Sequence, residues 1–442
     1  MEIRLSDHFT YGKLLRFTAP SIVMMIFTSI YGVVDGIFVS NFVGKTPFAA
    51  INLIIPFLML FGALGFMVGT GGSALIAKTL GEGNQGRANG LFSLFVWLTL
   101  AVGIVLAVLG MLLMRPVAAL LGAEGQMLED CVVYGCILQL ALPGFLLQNE
   151  FQSFLVTAER PRLGLGITVA AGLTNIVLDA LFVAVLEWGL VGAAVATAVS
   201  QLVGGIVPLV YFLCPNRCLL KLTRPIFDVR ALVKTCTNGA SEMMSNLSMS
   251  LVSMLYNIQL MRLAGEDGVA AYGVIMYVDF IFVAGFLGYS IGSAPVISYH
   301  FGAGNVTELQ SLRRQSIRIL LVMSLFLTGL AVLSAGPLSG IFVGYDPALR
   351  EMTRRAFMLN ALAFLMKGVN IFGSSFFTAL NDGLVSAVIS FLRLLLFQTV
   401  AVLLLPLVLE LDGVWLSVVA AELLALGVTV GCFVGFRGKY HY

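Results

Sequence analysis

Charged residues are scarce in this chain. Asp, Glu, Lys and Arg make up only 11% of the 442 residues, whereas 59% are hydrophobic and the mean hydropathy is +0.99. A soluble protein of this length cannot bury so much apolar side chain in one core. The sequence therefore predicts a polytopic membrane protein, with the lipid bilayer as its first partner.

Excess charge of either sign, histidine and cysteine pairs are also missing. The net charge of +2 excludes nucleic acid as a partner. The three histidines, His8, His300 and His441, lie outside the apolar stretches or at their ends, which leaves an intramembrane hydrolase without a base. Cys214 and Cys218 are close in sequence, but no His or second Cys pair accompanies them, so free thiols are expected. We therefore predict no enzyme activity and no cofactor.

Long apolar stretches fill most of the chain. Stretches of about 20 residues or more, separated by polar or Gly/Pro loops, predict twelve transmembrane helices. The predicted spans are 16–40, 50–77, 89–114, 131–157, 164–186, 190–213, 238–261, 269–298, 315–336, 353–379, 384–408 and 413–436. The fold class is therefore an all-α polytopic membrane protein.

The two halves of the chain resemble each other. At a shift of 221 residues, half the chain length, residues 80–84 fall on 301–305, and Gly192 falls on Gly413. Six helices per half return the chain to its starting side, so the two repeats are parallel, and a tandem repeat in a membrane protein is typical of a transporter. We divide the chain into an N-lobe (1–213), an inter-lobe linker (214–236) and a C-lobe (237–442).

Lys and Arg residues predict the orientation in the membrane. If the N-terminus is cytoplasmic, 17 of the 25 basic residues lie in the N-terminal segment, the C-terminal segment and the loops on that side, and six lie on the other side. Cytoplasmic loops are enriched in Lys and Arg. We therefore expect a multi-pass protein of the cell inner (plasma) membrane with both termini in the cytoplasm.

Six acidic residues lie inside predicted spans, where each ionisable group costs about 2.5–3.5 kcal/mol on insertion scales and is a functional candidate. They are Asp35, Glu150 and Asp179 in the N-lobe, and Glu242, Asp279 and Glu422 in the C-lobe. Only the C-lobe also contains basic residues in its spans, Lys367 and Arg393. At a shift of 221 residues the three N-lobe acids become Tyr256, Ile371 and Val400, so the scaffold does not require them.

Four N-lobe residues are predicted to line one pocket. Asp35, Asp179 and Thr197 lie at similar depth, about 9–12 Å from the loops that flank their helices, and Asn175 lies one turn from Asp179 on the same face. Two carboxylates, an amide and a hydroxyl suit either a shared proton or an oxygen-ligated Na⁺. Tyr31 lies on the same stripe as Asp35 and is a further candidate.

The remaining intramembrane ionisable residues have competing interpretations. Glu150 is as consistent with packing as with function, and Glu242 lies near a helix start, where an acid favours the helix dipole. Asp279 is a candidate for coupling or substrate binding, although a salt bridge within the C-lobe is favoured. Lys367, Arg393 and Glu422 are predicted to form structural ion pairs.

Several blocks of sequence resemble the multidrug and toxic compound extrusion (MATE) transporters, within them the bacterial branch of MepA-like efflux proteins. The blocks are VDGIFV at 34–39, GSALIAKTLG at 72–81, NIVLD at 175–179, GAAVAT at 192–197 and SYHFGA at 298–303. The resemblance implies two six-helix bundles that open as a V and exchange drug for cation by alternating access. It also implies that Asp35 is the coupling acid and that Asn175, Asp179 and Thr197 are its partners.

One departure from the family concerns the C-lobe. Another branch has coupling acids in helices 7 and 10, whereas helix 10 here carries Lys367 and no acid, so Glu242 in helix 7 is the remaining candidate for a C-lobe cation site.

The sequence thus predicts a monomeric efflux antiporter that exchanges H⁺ or Na⁺ for small lipophilic organic cations, because six intramembrane acids outnumber two bases. A lipid-linked oligosaccharide flippase is the alternative, although pyrophosphate recognition requires more basic residues than the spans contain. A channel is disfavoured because the unpaired acids lie in one lobe, away from the pseudo-axis.

Overall fold

The computed structural model describes residues 3–43, 45–216, 218–344 and 346–442, with the side chains of all of these except 37, 39–41, 45, 46 and 48. The side chains of Lys45 and Arg217, which enter the charge count, lie outside this description. The described chain is helical and contains no strand.

The first half of the chain contains six spans. They are α1 (Tyr11–Phe42), α2 (Lys45–Gly81), α3 (Gln85–Leu120), α4 (Gly125–Thr157), α5 (Pro161–Asp179) and α6 (Gly189–Leu213). A π-helical segment, Ala180–Val185, continues α5.

The second half begins with one helical run, Val229–Gly302, which is interrupted at Gly265 by a positive φ of 63°. We number its two parts α7 (229–264) and α8 (266–302). The remaining spans are α9 (Val306–Val343), α10 (Pro347–Ala361 and Phe364–Ala379, bent by 48°), α11 (Gly383–Phe391, Leu392–Phe397 and Gln398–Leu404) and α12 (Pro406–Gly435). The described residues thus form twelve spans, as predicted.

The helix α7 begins earlier than the sequence suggested. The predicted linker ran to residue 236, but α7 starts at Val229 because the Asp228 carboxylate accepts a hydrogen bond from Ala231 N at 3.1 Å and caps the helix. An N-cap side chain of this kind satisfies an amide that otherwise has no partner in the first turn. The connection between the lobes is therefore shorter than predicted.

The two repeats begin their third helices in the same way. Asn84 caps α3 through Arg87 N at 3.0 Å, and Asn305 caps α9 through Glu308 N at 3.1 Å. The preceding residues, Gly83 and Gly304, both have positive φ, 81° and 66°, a conformation in which a residue with a Cβ is strained. Equivalent positions thus adopt equivalent local structure in the two halves.

The lobes meet closely at one end of the bundle, where glycines allow backbone contact. A Cβ on Gly81 at the end of α2 would overlap the carbonyl of Tyr299, and a Cβ on Gly302 at the end of α8 would overlap the carbonyl of Lys78. These two contacts are related by the shift of 221 residues. The pseudo-twofold axis between the repeats therefore passes here, between α2 and α8.

Both chain ends lie at this same end of the bundle, which we call the terminal face. Phe9 N donates to Glu308 Oε1 at 2.8 Å, and Gln310 Nε2 donates to His441 O at 3.0 Å, so both ends of the chain contact the first turn of α9. The lobes are therefore closed against each other at the terminal face.

Two ion pairs stabilise the interior of the C-lobe. Lys367 Nζ on α10 contacts Asp279 Oδ1 on α8. Arg393 in the π segment of α11 contacts Glu422 on α12, with Nη2 and Oε1 2.9 Å apart. Asn370 Nδ2 donates to the other Glu422 oxygen at 2.8 Å, so this fully buried carboxylate has three donors. Such pairing offsets much of the cost of placing charge in the membrane.

We expect the Arg393→Ala substitution to destabilise the protein strongly, by about 3–5 kcal/mol, because it leaves the buried Glu422 carboxylate without its counter-charge. Thermal unfolding in detergent measures the change. Arg355→Ala is the matched control: its side chain is 66% exposed in a surface pair with Asp412, and its loss should change the melting temperature little. Unchanged melting of Arg393→Ala, together with altered ion dependence of transport, would instead place Arg393 in the coupling site.

Candidate functional site

A cleft of about 620 Å³ separates the lobes in the half of the bundle that lies away from the terminal face. Its walls come from α1, α2, α7 and α8. The lining residues are Ser29, Gly32, Val33, Asn52, Ser253, Asn257, Val269, Tyr272, Gly273, Met276, Tyr277 and Phe280. Neutral polar groups and aromatic rings thus line the cleft, and none of these residues is basic.

Two N-lobe carboxyl groups face each other close to this cleft. Asp35 lies on α1, within one turn of the cleft residues Gly32 and Val33, and its carboxyl is within hydrogen-bonding reach of Asp179 at the end of α5. Asp179 is fully buried. Among the described residues no donor reaches Oδ1 of Asp35 or either carboxyl oxygen of Asp179. Two carboxylates in this position require a shared proton or a bound cation between them.

Asn175 and Thr197 complete the group of four residues. The Asn175 side chain contacts the Asp35 carboxyl, and its Nδ2 donates to Thr197 Oγ1 on α6 at 3.5 Å. The structure therefore brings together the four residues that the sequence placed at one depth. Their oxygen atoms include two carboxyls, an amide and a hydroxyl, a set that suits a proton or Na⁺. The identity of the ion stays a prediction.

A local change in helix geometry adjoins Asp179. The α-helix α5 ends at this residue and continues as a π-helix over Ala180–Val185. The fifth helix of the C-lobe contains a similar π segment, Leu392–Phe397, with Arg393 inside it. π segments occur mostly at functional sites. In both lobes this segment adjoins an ionisable side chain, an acid in one lobe and a base in the other.

Three further residues surround the acid pair. Tyr31 lies near both Asp35 and Gln148 on α4, and the fully enclosed Tyr134 lies near both aspartates. The sequence analysis included Tyr31 but missed Gln148 and Tyr134. A signal for Gln148 exists, because it belongs to a polar run in α4, and its repeat equivalent is Val369.

Glu150 is a separate buried acid on α4. It is fully buried, and neither carboxyl oxygen has a donor among the described residues. Thr99 on α3 lies beside it, and the backbone of Gly69 on α2 packs against it. No charged partner among the described residues accompanies it, so it is more consistent with a neutral acid than with an ion-pair partner.

The C-lobe candidates lie apart from this site. Asp279 contacts Lys367, and Asn360 Nδ2 donates to its Oδ1 at 3.3 Å. Glu242 on α7 lies near Arg393. The described acids without a basic neighbour, Asp35, Asp179 and Glu150, thus all belong to the N-lobe.

Comparison with known proteins follows the same pattern. Two curated relatives are Multidrug export protein MepA of Staphylococcus saprophyticus, 22% identical over 371 residues, and MepA of Staphylococcus aureus, 23% identical over 377 residues. Each alignment covers 81% of both chains.

Solved structures share the fold. A crystal structure of MATE in complex with MaL6 superposes with a TM-score of 0.92 at 22% identity, covering 98% of this chain and 97% of that one. The outward-facing conformation of a multidrug resistance MATE family transporter of the MOP superfamily gives 0.91 at 22% identity, with the same coverage.

The family model MatE matches residues 20–181 and 243–403, one block in each lobe. The two blocks cover well over half of the chain and follow its internal repeat. The resemblance found in the sequence is thus confirmed, and this chain belongs to the MatE family of membrane transporters.

Proposed function

We propose that the protein is a secondary active multidrug efflux transporter that exchanges inward-moving H⁺ or Na⁺ for outward-moving lipophilic organic cations by alternating access. The observation that carries the proposal is the Asp35–Asp179 pair: two buried carboxyls, without a basic partner, beside the inter-lobe cleft. The relatives named for multidrug export support the substrate range. No chemistry on the substrate is assigned.

The cleft supports a cationic substrate. Tyr272, Tyr277 and Phe280 offer aromatic faces, which attract cations, and the nearby acid pair supplies negative charge. Met276 adds a flexible apolar surface that adapts to different ligands. The alternative, a lipid-linked oligosaccharide flippase, requires basic groups for pyrophosphate, and the described cleft lining has none.

We infer that the terminal face is cytoplasmic, since most Lys and Arg residues lie in the segments on that side. With this orientation the described conformation is closed to the cytoplasm, and its cleft lies in the outer half of the membrane. Ion entry from outside can then reach Asp35 and Asp179 while drug leaves.

We expect Asp35→Asn to insert in the membrane and to lose gradient-driven efflux by about tenfold or more, equivalent to about 1.4 kcal/mol of coupling. The amide keeps the shape of the side chain but cannot gain or lose the proton. Efflux of a cationic dye from proteoliposomes measures the loss. Asp412→Asn, a surface acid paired with Arg355, is the control and should transport normally. Wild-type efflux by a well-inserted Asp35→Asn protein would refute the assignment.

Asp35 and Asp179 should act as a unit, because residues in one network have non-additive effects. The double variant Asp35→Asn, Asp179→Asn should therefore transport scarcely worse than either single variant. Initial efflux rates of the two single variants and the double variant test this. If the losses multiply, the two acids serve separate sites.

Cation binding should weaken on acidification or on addition of Na⁺. Either ion neutralises the acid pair and so reduces the Coulomb attraction that holds an organic cation in the cleft. Titration of purified protein with cationic, neutral and anionic dyes across pH measures this. Tight binding of the anionic dye, or cation affinity that is independent of both pH and Na⁺, is incompatible with the proposed exchange.

A further inference from the structure

The segment that precedes α1, residues 3–10, crosses the terminal face and contacts both lobes. On the N-lobe side, Leu5 N donates to Glu159 Oε1 at 2.6 Å, in the loop between α4 and α5. On the C-lobe side, Phe9 N donates to Glu308 Oε1 at 2.8 Å, and His8 Nδ1 lies 2.6 Å from Glu308 Oε2. We call residues 3–10 the N-terminal segment.

The C-lobe contact is the more extensive of the two. Gln315 Nε2 on α9 donates to Phe9 O at 2.8 Å, so Phe9 is bound through both its amide and its carbonyl. The Leu5 and Phe9 side chains are fully buried in a hydrophobic core formed mostly by C-lobe residues. The Phe9 ring meets the His300 ring edge-on at 6.4 Å. The segment is thus packed into the C-lobe, although the helix that follows it belongs to the N-lobe repeat.

The N-lobe contact is a single hydrogen bond to a constrained acceptor. Glu159 has a φ of 62°, a conformation that non-glycine residues rarely adopt. This geometry comes at the turn between α4 and α5, where Arg160 N donates to Leu155 O at 2.8 Å. The turn presents the Glu159 carboxylate to the N-terminal segment, and no equivalent hydrogen bond to Glu159 is made by α9.

The two anchor points are close along the chain, which limits how far the lobes can separate. Four residues connect Leu5 to Phe9, and even fully extended they span only about 14 Å. The cleft cannot open widely to the terminal face while both Glu159 and Glu308 hold this segment. One of the two contacts must break, and the smaller contact, at Glu159, is the one that breaks at lower cost.

We propose that the N-terminal segment is a latch that holds the terminal face closed, and that it leaves Glu159 and stays on the C-lobe when the cleft opens to that face. The latch rests on the proposed alternating access but does not depend on which ion or drug is carried. Removing the Glu159 or Glu308 carboxylate should therefore shift the conformational equilibrium towards opening at the terminal face.

The test is a distance measurement between the lobes at the terminal face. Spin labels are attached at Arg162→Cys on α5 and Arg314→Cys on α9, both exposed positions, after replacement of the six native cysteines, which are all free. Pulsed electron–electron resonance on the full-length protein in lipid nanodiscs then gives the distance distribution. Glu159→Ala and Glu308→Ala are compared with Glu82→Ala, an exposed acid at the same face that pairs only with Lys78.

We expect Glu159→Ala and Glu308→Ala each to raise the long-distance population at least threefold, with Glu82→Ala unchanged. Wild-type distributions in both latch variants would overturn the proposal, and so would an equal shift in Glu82→Ala. Because the readout is a conformational population and not transport, loss of ion coupling would not affect its interpretation. Thermal melting of each variant identifies a shift that results from unfolding, and Leu5→Ala, which removes the buried side chain without touching either carboxylate, must give the same shift if the segment itself is the latch.

Discussion

A carboxyl group inside a bilayer must be paired with a base, protonated or bound to a cation, because an isolated charge there is too costly. The C-lobe satisfies this requirement with bases: Lys367 neutralises Asp279, and Arg393 neutralises Glu422. The N-lobe has no such bases, and Asp35 and Asp179 face each other without one. A mobile proton or Na⁺ is the only neutralising partner left for this pair, and binding of a mobile ion is what an antiporter needs.

The fold is symmetric where the function requires motion and asymmetric where it requires chemistry. The equivalent contacts of Gly81 and Gly302 bring α2 and α8 together at the terminal face, while the cleft separates the lobes in the other half. Lobes that are related by a pseudo-twofold axis and touch at one end can exchange that contact for one at the other end. Ion binding inside one lobe then biases which end is closed, through the helix α1, which carries Asp35 and also lines the cleft.

Much of this was predictable from the sequence, and the remainder depends on contacts between distant helices. Apolar length predicted twelve spans and the parallel repeat, and depth along each helix predicted the grouping of Asp35 with Asn175, Asp179 and Thr197. Nothing in the sequence fixes the rotation of α4 about its axis, so Gln148 and Tyr134 were missed as neighbours of the acid pair. The early start of α7 at Val229 follows from a cap at Asp228, which the hydropathy pattern does not register.

The central claim is that entry of an ion drives an organic cation out against its own gradient. The most direct measurement is transport of a permanently charged cationic dye in proteoliposomes of known orientation, first with an imposed pH gradient and then with an imposed Na⁺ gradient. The account predicts that at least one of these gradients moves the dye uphill, and that dissipating that gradient with an ionophore stops the movement. Dye that only equilibrates, at a rate independent of both gradients, would contradict it.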